Sequence, residues 1–260
     1  MASKFQTITE FLLSPFNNPN DVNKDSTYSS KYSSYVSTNK IRLNAVCVIE
    51  ESYYYHIKIP SESNKDGNYE YDVVIRFFTD SEDVMKDTHL RRYYVQFFSN
   101  SPSFMYQYAY LYKQEGFLIE ALYNKLDPDY IDTPPEKTNS NMVKSYDKSI
   151  YFACRFLSEL KFRFLDKNGV INNRKISDSK FFNNITDFKS VKMEQSLISE
   201  ERKIKSLLKK KTDTKDKRTI NTNKKASSKS TSLGGITSIN VIKKKTGKAK
   251  IVARRGLKKK

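Results

Sequence analysis

The net charge of this 260-residue chain sits almost entirely in its last sixty residues, and no aromatic ring occurs there. From Glu201 to Lys260 there are 22 Lys/Arg against three acids, Glu201, Asp213 and Asp216, a net of +19. The whole chain has 47 Lys/Arg and 29 Asp/Glu, which leaves 25 and 26 in residues 1–200, a net of −1. All 18 Tyr and 16 Phe precede Glu201. A segment with high net charge and no rings cannot bury enough apolar surface to offset the entropy of ordering itself. The pattern therefore predicts a near-neutral body with a cationic tail. That tail is expected to be disordered alone and to seek a polyanion, nucleic acid first.

A body of this length suits one domain with a sizeable core. Cys47 and Cys154 are isolated, with no CxxC, and read as buried free thiols. No stretch approaches the run of about 18 apolar residues that crosses a bilayer, and the first residues lack the apolar region of a signal peptide. No membrane partner is expected, and the protein is expected to stay in the compartment where it is made.

Along the chain, Phe5, Ile8, Phe11 and Leu12 have helical spacing, stopped by Pro15. Residues 14–38 are Ser-, Asn- and Asp-rich and read as a long surface loop, which Tyr28, Tyr32 and Tyr35 would pin to the body. Four β-rich runs follow: Ile41–Glu50, Ser52–Pro60, Tyr69–Thr79 and Leu90–Ser99. Antiparallel pairing of the last two is the economical arrangement. Residues 102–115 carry contradictory signals. Ser101-Pro102 is a helix start, yet Tyr106, Tyr108, Tyr110 and Tyr112 alternate as a strand would. Phe117–Leu126 reads as a short helix and Asp127–Asn141, with three prolines, as loop. Ser145–Lys161 carries a broad apolar helical stripe. Phe162–Leu165 and Val170–Ile171 read as strands about a turn, and 172–188 as irregular. Ser190–Lys210 is a charged amphipathic helix candidate. The fold class predicted is α+β, an antiparallel sheet with a few helices. The boundaries are 1–188 for the body, 189–210 for a charged helix or linker and 211–260 for a disordered Lys-rich tail.

Most catalytic signatures are missing: there is no GxxxxGK[ST], GxGxxG, HExxH or GxSxG, and no zinc-spaced Cys/His group. His56, within a strand pattern, and the distant His89 read as structural histidines. Pro128-Asp129 and Glu159-Leu160-Lys161 formally resemble the PD…(D/E)xK set of metal-dependent nucleases, whose carboxylates hold a divalent ion. Those enzymes carry E-x-K on a strand, whereas Glu159 and Lys161 fall in a helical pattern. Asp129 reads as a turn residue and Glu159 as a solvated helix residue. No catalytic residue, metal or cofactor is assigned.

The basic runs are the stronger signal. They are Lys209-Lys210-Lys211, Lys217-Arg218, Lys224-Lys225, Lys243-Lys244-Lys245, Lys248, Lys250, Arg254-Arg255 and Lys258-Lys259-Lys260. Such spacing suits neutralising phosphates along a flexible path, with counterion release as the driving term. Without aromatics there is no base stacking, and Lys outnumbers Arg, which disfavours planar base readout. Binding is expected to be strong at low salt and indifferent to sequence.

The stretch from Arg91 to Phe104 (RRYYVQFFSNSPSF), running into Tyr108-Ala109-Tyr110, resembles small virion- or DNA-associated proteins of tailed phages that infect low-GC bacteria. The basic, Lys-ended tail fits that company. The resemblance implies a virion-associated or DNA-associated phage protein with no catalytic residues; its expected location is the host cytoplasm, with the virion as an alternative. The expected function is a non-enzymatic accessory or structural protein whose tail holds nucleic acid while its body docks on other subunits of a larger assembly. Two alternatives are an assembly protein whose tail threads Ile236–Ile242 into a neighbour as an added strand, and the metal-dependent nuclease.

Overall fold

Alternation of large apolar residues builds a four-stranded antiparallel meander, and helices close over it. The computed structural model describes residues 5–14, 25–37, 41–61, 69–81, 90–159 and 174–226, with backbone alone for 25–27, 36–37 and 209–226. The strands are β1 (Arg42–Ile49), β2 (Ser52–Pro60), β3 (Glu70–Phe78) and β4 (Tyr94–Ser99), in sheet order β1-β2-β3-β4. Val46, Tyr55, Ile75 and Phe97 stand in register across the sheet, all of them buried. Burying side chains of this size contributes roughly 1.5–3 kcal/mol each. Leu90–Arg92, expected to begin the last strand, forms a 3₁₀ turn.

Successive strand residues point to opposite faces. On one face Phe97 meets Phe11 of α1 (Ile8–Leu13) at a centroid distance of 4.4 Å. The start of α1 is fixed by a capping box, in which Glu10 N–H donates to Thr7 Oγ1 and Thr7 N–H donates to Glu10 Oε2. The long apolar helix α6 (Lys148–Glu159) packs against β2, β3 and β4. Cys154 on α6 and Cys47 on β1 are buried free thiols.

Three expectations are corrected, and the open segment 102–115 is settled. Residues 25–37, expected as loop, form α2 (Asp25–Ser37). Tyr28, Tyr32 and Tyr35 recur at spacings of four and three, so a helix presents all three rings to Tyr146, Tyr151 and Phe152. That tertiary contact outweighs a loop-like composition. Residues 102–115 form two short helices, α3 (Pro102–Gln107) and α4 (Ala109–Gln114). Ser101 Oγ accepts the Phe104 N–H, and Pro102 sits in the first turn. The alternating tyrosines resolve into helical pairs four apart, with Tyr108 and Tyr112 buried and Tyr106 and Tyr110 half-buried. Pro128, read as a breaker, instead opens α5 (Pro128–Ile131) behind the Asp127 cap. Asp178–Asn183, read as irregular, forms α7, which buries Phe181 against Tyr54 and His56 on the second sheet face. Within 117–126, Glu120–Lys125 is a 3₁₀ helix.

The last element, α8 (Phe188–Ala226), is a single 39-residue helix. The chain divides into one unit of Met1–Lys203 and another of Ile204–Lys260, so α8 belongs to the first as far as Lys203 and to the second beyond it. Expected to stop near Lys210, it continues to Ala226. There is no Gly or Pro between Phe188 and Ala226, and Lys, Arg and Gln are good helix formers. Cations in its C-terminal half also suit the negative end of the helix dipole. The expected strands at 162–171 and Ile236–Ile242 lie outside the described residues.

Candidate nucleic-acid interface and buried polar centres

Lys209, Lys210, Lys211, Lys217, Arg218, Lys224 and Lys225 lie on the backbone of α8. At about 100° per residue their positions fall within roughly 200° of arc around the helix axis. Arg202 to Ala226 holds 11 Lys/Arg and two acids. Lys243, Lys244, Lys245, Lys248, Lys250, Arg254, Arg255, Lys258, Lys259 and Lys260 lie outside the described residues.

The start of α8 is built into the body. Asp187 caps it: Ser190 N–H donates to Oδ1 at 2.8 Å and Ser190 Oγ donates to Oδ2 at 2.9 Å. Those hydrogen bonds hold the Asp187 carboxyl below the usual carboxylate range. Phe188 is buried between the rings of Tyr106 and Tyr130. One residue before the cap, Thr186 N–H donates to Asp72 Oδ2 at 2.8 Å, while Asn100 Nδ2 donates to Thr186 O at 3.0 Å.

Asp72 is the centre of this anchor. It lies on β3 beneath α7, fully buried, and its Oδ1 is 2.7 Å from His56 Nε2 and ion-paired with Lys58 Nζ. Asn44 Nδ2 lies 3.1 Å from His56 Nδ1, so with the amide donating there the ring proton sits on Nε2 and is donated to Asp72. Burial pushes the Asp72 carboxyl up, but the hydrogen bond from His56 and the charge of Lys58 beside it hold it down at about 2. His56 is thus buried within the sheet, between Asn44 and Asp72. Its partner was missed, although an Asp inside the run Tyr71–Phe78 signals a buried carboxylate in need of donors.

A second carboxylate, Asp147, is buried at the start of α6. It accepts from Ser101 Oγ at 2.8 Å, from Ser149 Oγ at 2.9 Å and from Ile150 N–H at 3.0 Å. Burial outweighs these donors and raises its pKa. Ser99 Oγ and Ser149 Oγ are 2.9 Å apart, so the cluster also reaches β4. The arrangement caps α6 and holds α3 to it. A cavity of about 500 Å³ opens alongside, lined in part by Lys31, Tyr71, Ser103, Lys148 and Gln195.

Asp129 lies exposed in the first turn of α5, and Glu159 is exposed at the last position of α6. Lys161 lies outside the described residues. Among the described residues no group of three His, Cys, Asp or Glu is placed to hold a metal ion, and no helix is long and apolar enough to cross a membrane. No protein-family model, curated protein or solved structure matches the chain.

Proposed function

We propose that this chain is a non-enzymatic accessory or structural protein that holds nucleic acid through the phosphate backbone. Its cationic C-terminal region binds, and its body attaches to other subunits of a larger assembly, in keeping with the resemblance to phage proteins. The observation that carries the reading is the charge partition: 22 Lys/Arg and three acids after Glu200, against 25 and 26 before it. The start of α8 is anchored in the body through Asp187, Phe188 and the Asp72 network, and the first basic runs follow it along the chain.

The test is a comparison of the full chain with a chain ending at Glu200. The full chain is expected to shift duplex DNA of unrelated sequences with equal affinity at low salt, and the shortened chain to lose nearly all of that binding. Tight or sequence-selective binding by the shortened chain overturns the proposal. Mg²⁺-dependent cleavage by purified protein, abolished by Asp129→Ala or Glu159→Ala, would establish the nuclease alternative in its place.

A further inference from the structure

The break between α3 and α4 leaves carbonyl groups without the helical partners they would otherwise have. The chain that follows α5 folds back to take two of them. Thr138 Oγ1 donates to Tyr106 O, and Asn139 Nδ2 donates to Gln107 O at 3.0 Å. Asn139 Oδ1 also accepts the Val143 N–H at 2.9 Å, and Lys113 of α4 pairs with Asp132 at the end of α5. Held by these clips, residues 133–138 line one side of a cavity of about 350 Å³. That volume falls at the small end of ligand sites, which run from about 300 to 1,000 Å³.

The inner lining is aromatic. Met105 is buried in it, and the half-buried rings of Tyr106, Tyr110 and Tyr130 form its walls. Tyr106 and Tyr130 stand at 68° with centroids 4.8 Å apart, and both pack on Phe188, at 5.7 and 6.2 Å. Rings braced in this way keep their places before any ligand arrives. Pro134 and Pro135 stiffen the backbone of the facing loop. The charged groups are the carboxylates of Asp129 and Glu136, both exposed, against one ammonium, that of Lys137. We propose that the cavity binds a small organic cation whose head is a methylated ammonium. Ring faces carry negative potential and attract a cation lying within about 6 Å of the centroid. Both carboxylates are exposed, so an ammonium with three N–H donors gives up more hydration at the rings than a methylated one does. Asp129 and Glu136 add a salt-screened attraction and repel phosphate-bearing ligands, which separates this site from the nucleic-acid binding of the C-terminal region.

Isothermal titration calorimetry of the full chain with tetramethylammonium tests this. Saturable binding is expected, about tenfold or more tighter than that of tert-butanol, which is similar in shape but uncharged. Methylammonium and adenosine monophosphate should both bind more weakly than tetramethylammonium. These comparisons use the wild type alone and do not depend on any variant folding. Tyr110→Leu should weaken binding by about fivefold or more, and Tyr110→Phe, which keeps the ring, should stay within about twofold. Asp129→Asn with Glu136→Gln should weaken it by about threefold and flatten its dependence on salt. Circular dichroism of each variant establishes that the body persists. A glycine-flanked trimethyl-lysine peptide separates two sources of the head group. Affinity equal to that of tetramethylammonium assigns a free small molecule, and binding about tenfold tighter assigns a methylated protein. Absence of saturable binding, equal affinity for tert-butanol, tighter binding of adenosine monophosphate or indifference to Tyr110→Leu overturns the proposal.

Discussion

His56 Nε2 lies 2.7 Å from Asp72 Oδ1 with neither side chain exposed, a diagonal pair across β2 and β3 that ties the sheet to the chain entering α8. Every polar neighbour of that carboxylate, from His56, Lys58, Asn100 and Thr186, is a donor. Substituting Asp72→Asn turns an amide N–H₂ toward donors and leaves Lys58 without its counter-charge. Removing one partner of a buried pair costs about 3–5 kcal/mol, which urea unfolding at neutral pH should register.

The same carboxylate sets an acid limit. Its pKa is depressed to about 2 in the folded state, against an unfolded value near 3.9. The stability it contributes is fully present above about pH 4 and is lost as pH falls toward 2, a change of roughly 2 kcal/mol. Unfolding of the wild type should therefore weaken across that window, and Asp72→Asn should show a shallower fall.

Asp147 has the opposite linkage. Its folded pKa is raised by burial, so the stability tied to its protonated form is present at low pH and declines as pH rises above the unfolded value. Asp147→Asn, which can still accept from Ile150 N–H, should keep the fold and flatten that decline. Asp147→Ala removes the cap and strands the Ser101 and Ser149 hydroxyls. It should cost roughly 2–4 kcal/mol at any pH, by chemical denaturation.

Much of the sheet was legible because alternation in Tyr53–Ile59, Tyr71–Phe77 and Val95–Phe97 leaves few other ways to bury those side chains. The helix at Lys148–Glu159 was legible from its stripe. What stayed hidden depended on partners distant in sequence. Sixteen residues separate His56 from Asp72, and only the register of β2 on β3 brings them together. In α2 the ring spacing was present, but a Ser-rich composition masked it until Tyr146, Tyr151 and Phe152 supplied something to pack against. In α8 the reading weighed burial alone, and helix propensity carried the backbone further. The basic runs were visible at once, since charge needs no fold to be counted.

The β1–β2 turn offers a stabilising change. Glu50 and Glu51 connect Ile49 to Ser52 with φ of 45° and 62°, the left-handed region in which a side chain with a Cβ is disfavoured. Two-residue turns of this kind favour Asn-Gly. Glu50→Asn with Glu51→Gly should raise stability by about 1 kcal/mol, visible as a higher urea midpoint with an unchanged slope. A loss of stability would show that the two glutamates make compensating contacts.

The proposed function makes its most exacting demand on salt. If the region after Glu200 binds through phosphates, log K falls linearly with log salt by about 0.9 for each phosphate neutralised on duplex DNA. Not all 22 basic groups can engage together. Engagement of about 6–10 gives a slope of roughly −5 to −9 and a loss of about 10³-fold or more between 50 and 200 mM salt. Neutralising Lys243 through Lys260, and separately Lys209 through Lys225, should each flatten the slope. Each should weaken binding alike on unrelated sequences, because phosphate contacts carry no sequence information. If only the first set matters, contact lies beyond the helix. If only the second matters, the helix itself is the phosphate-binding element. A slope near zero for the intact chain would mean that charge is not what holds the nucleic acid, and the central claim would fail.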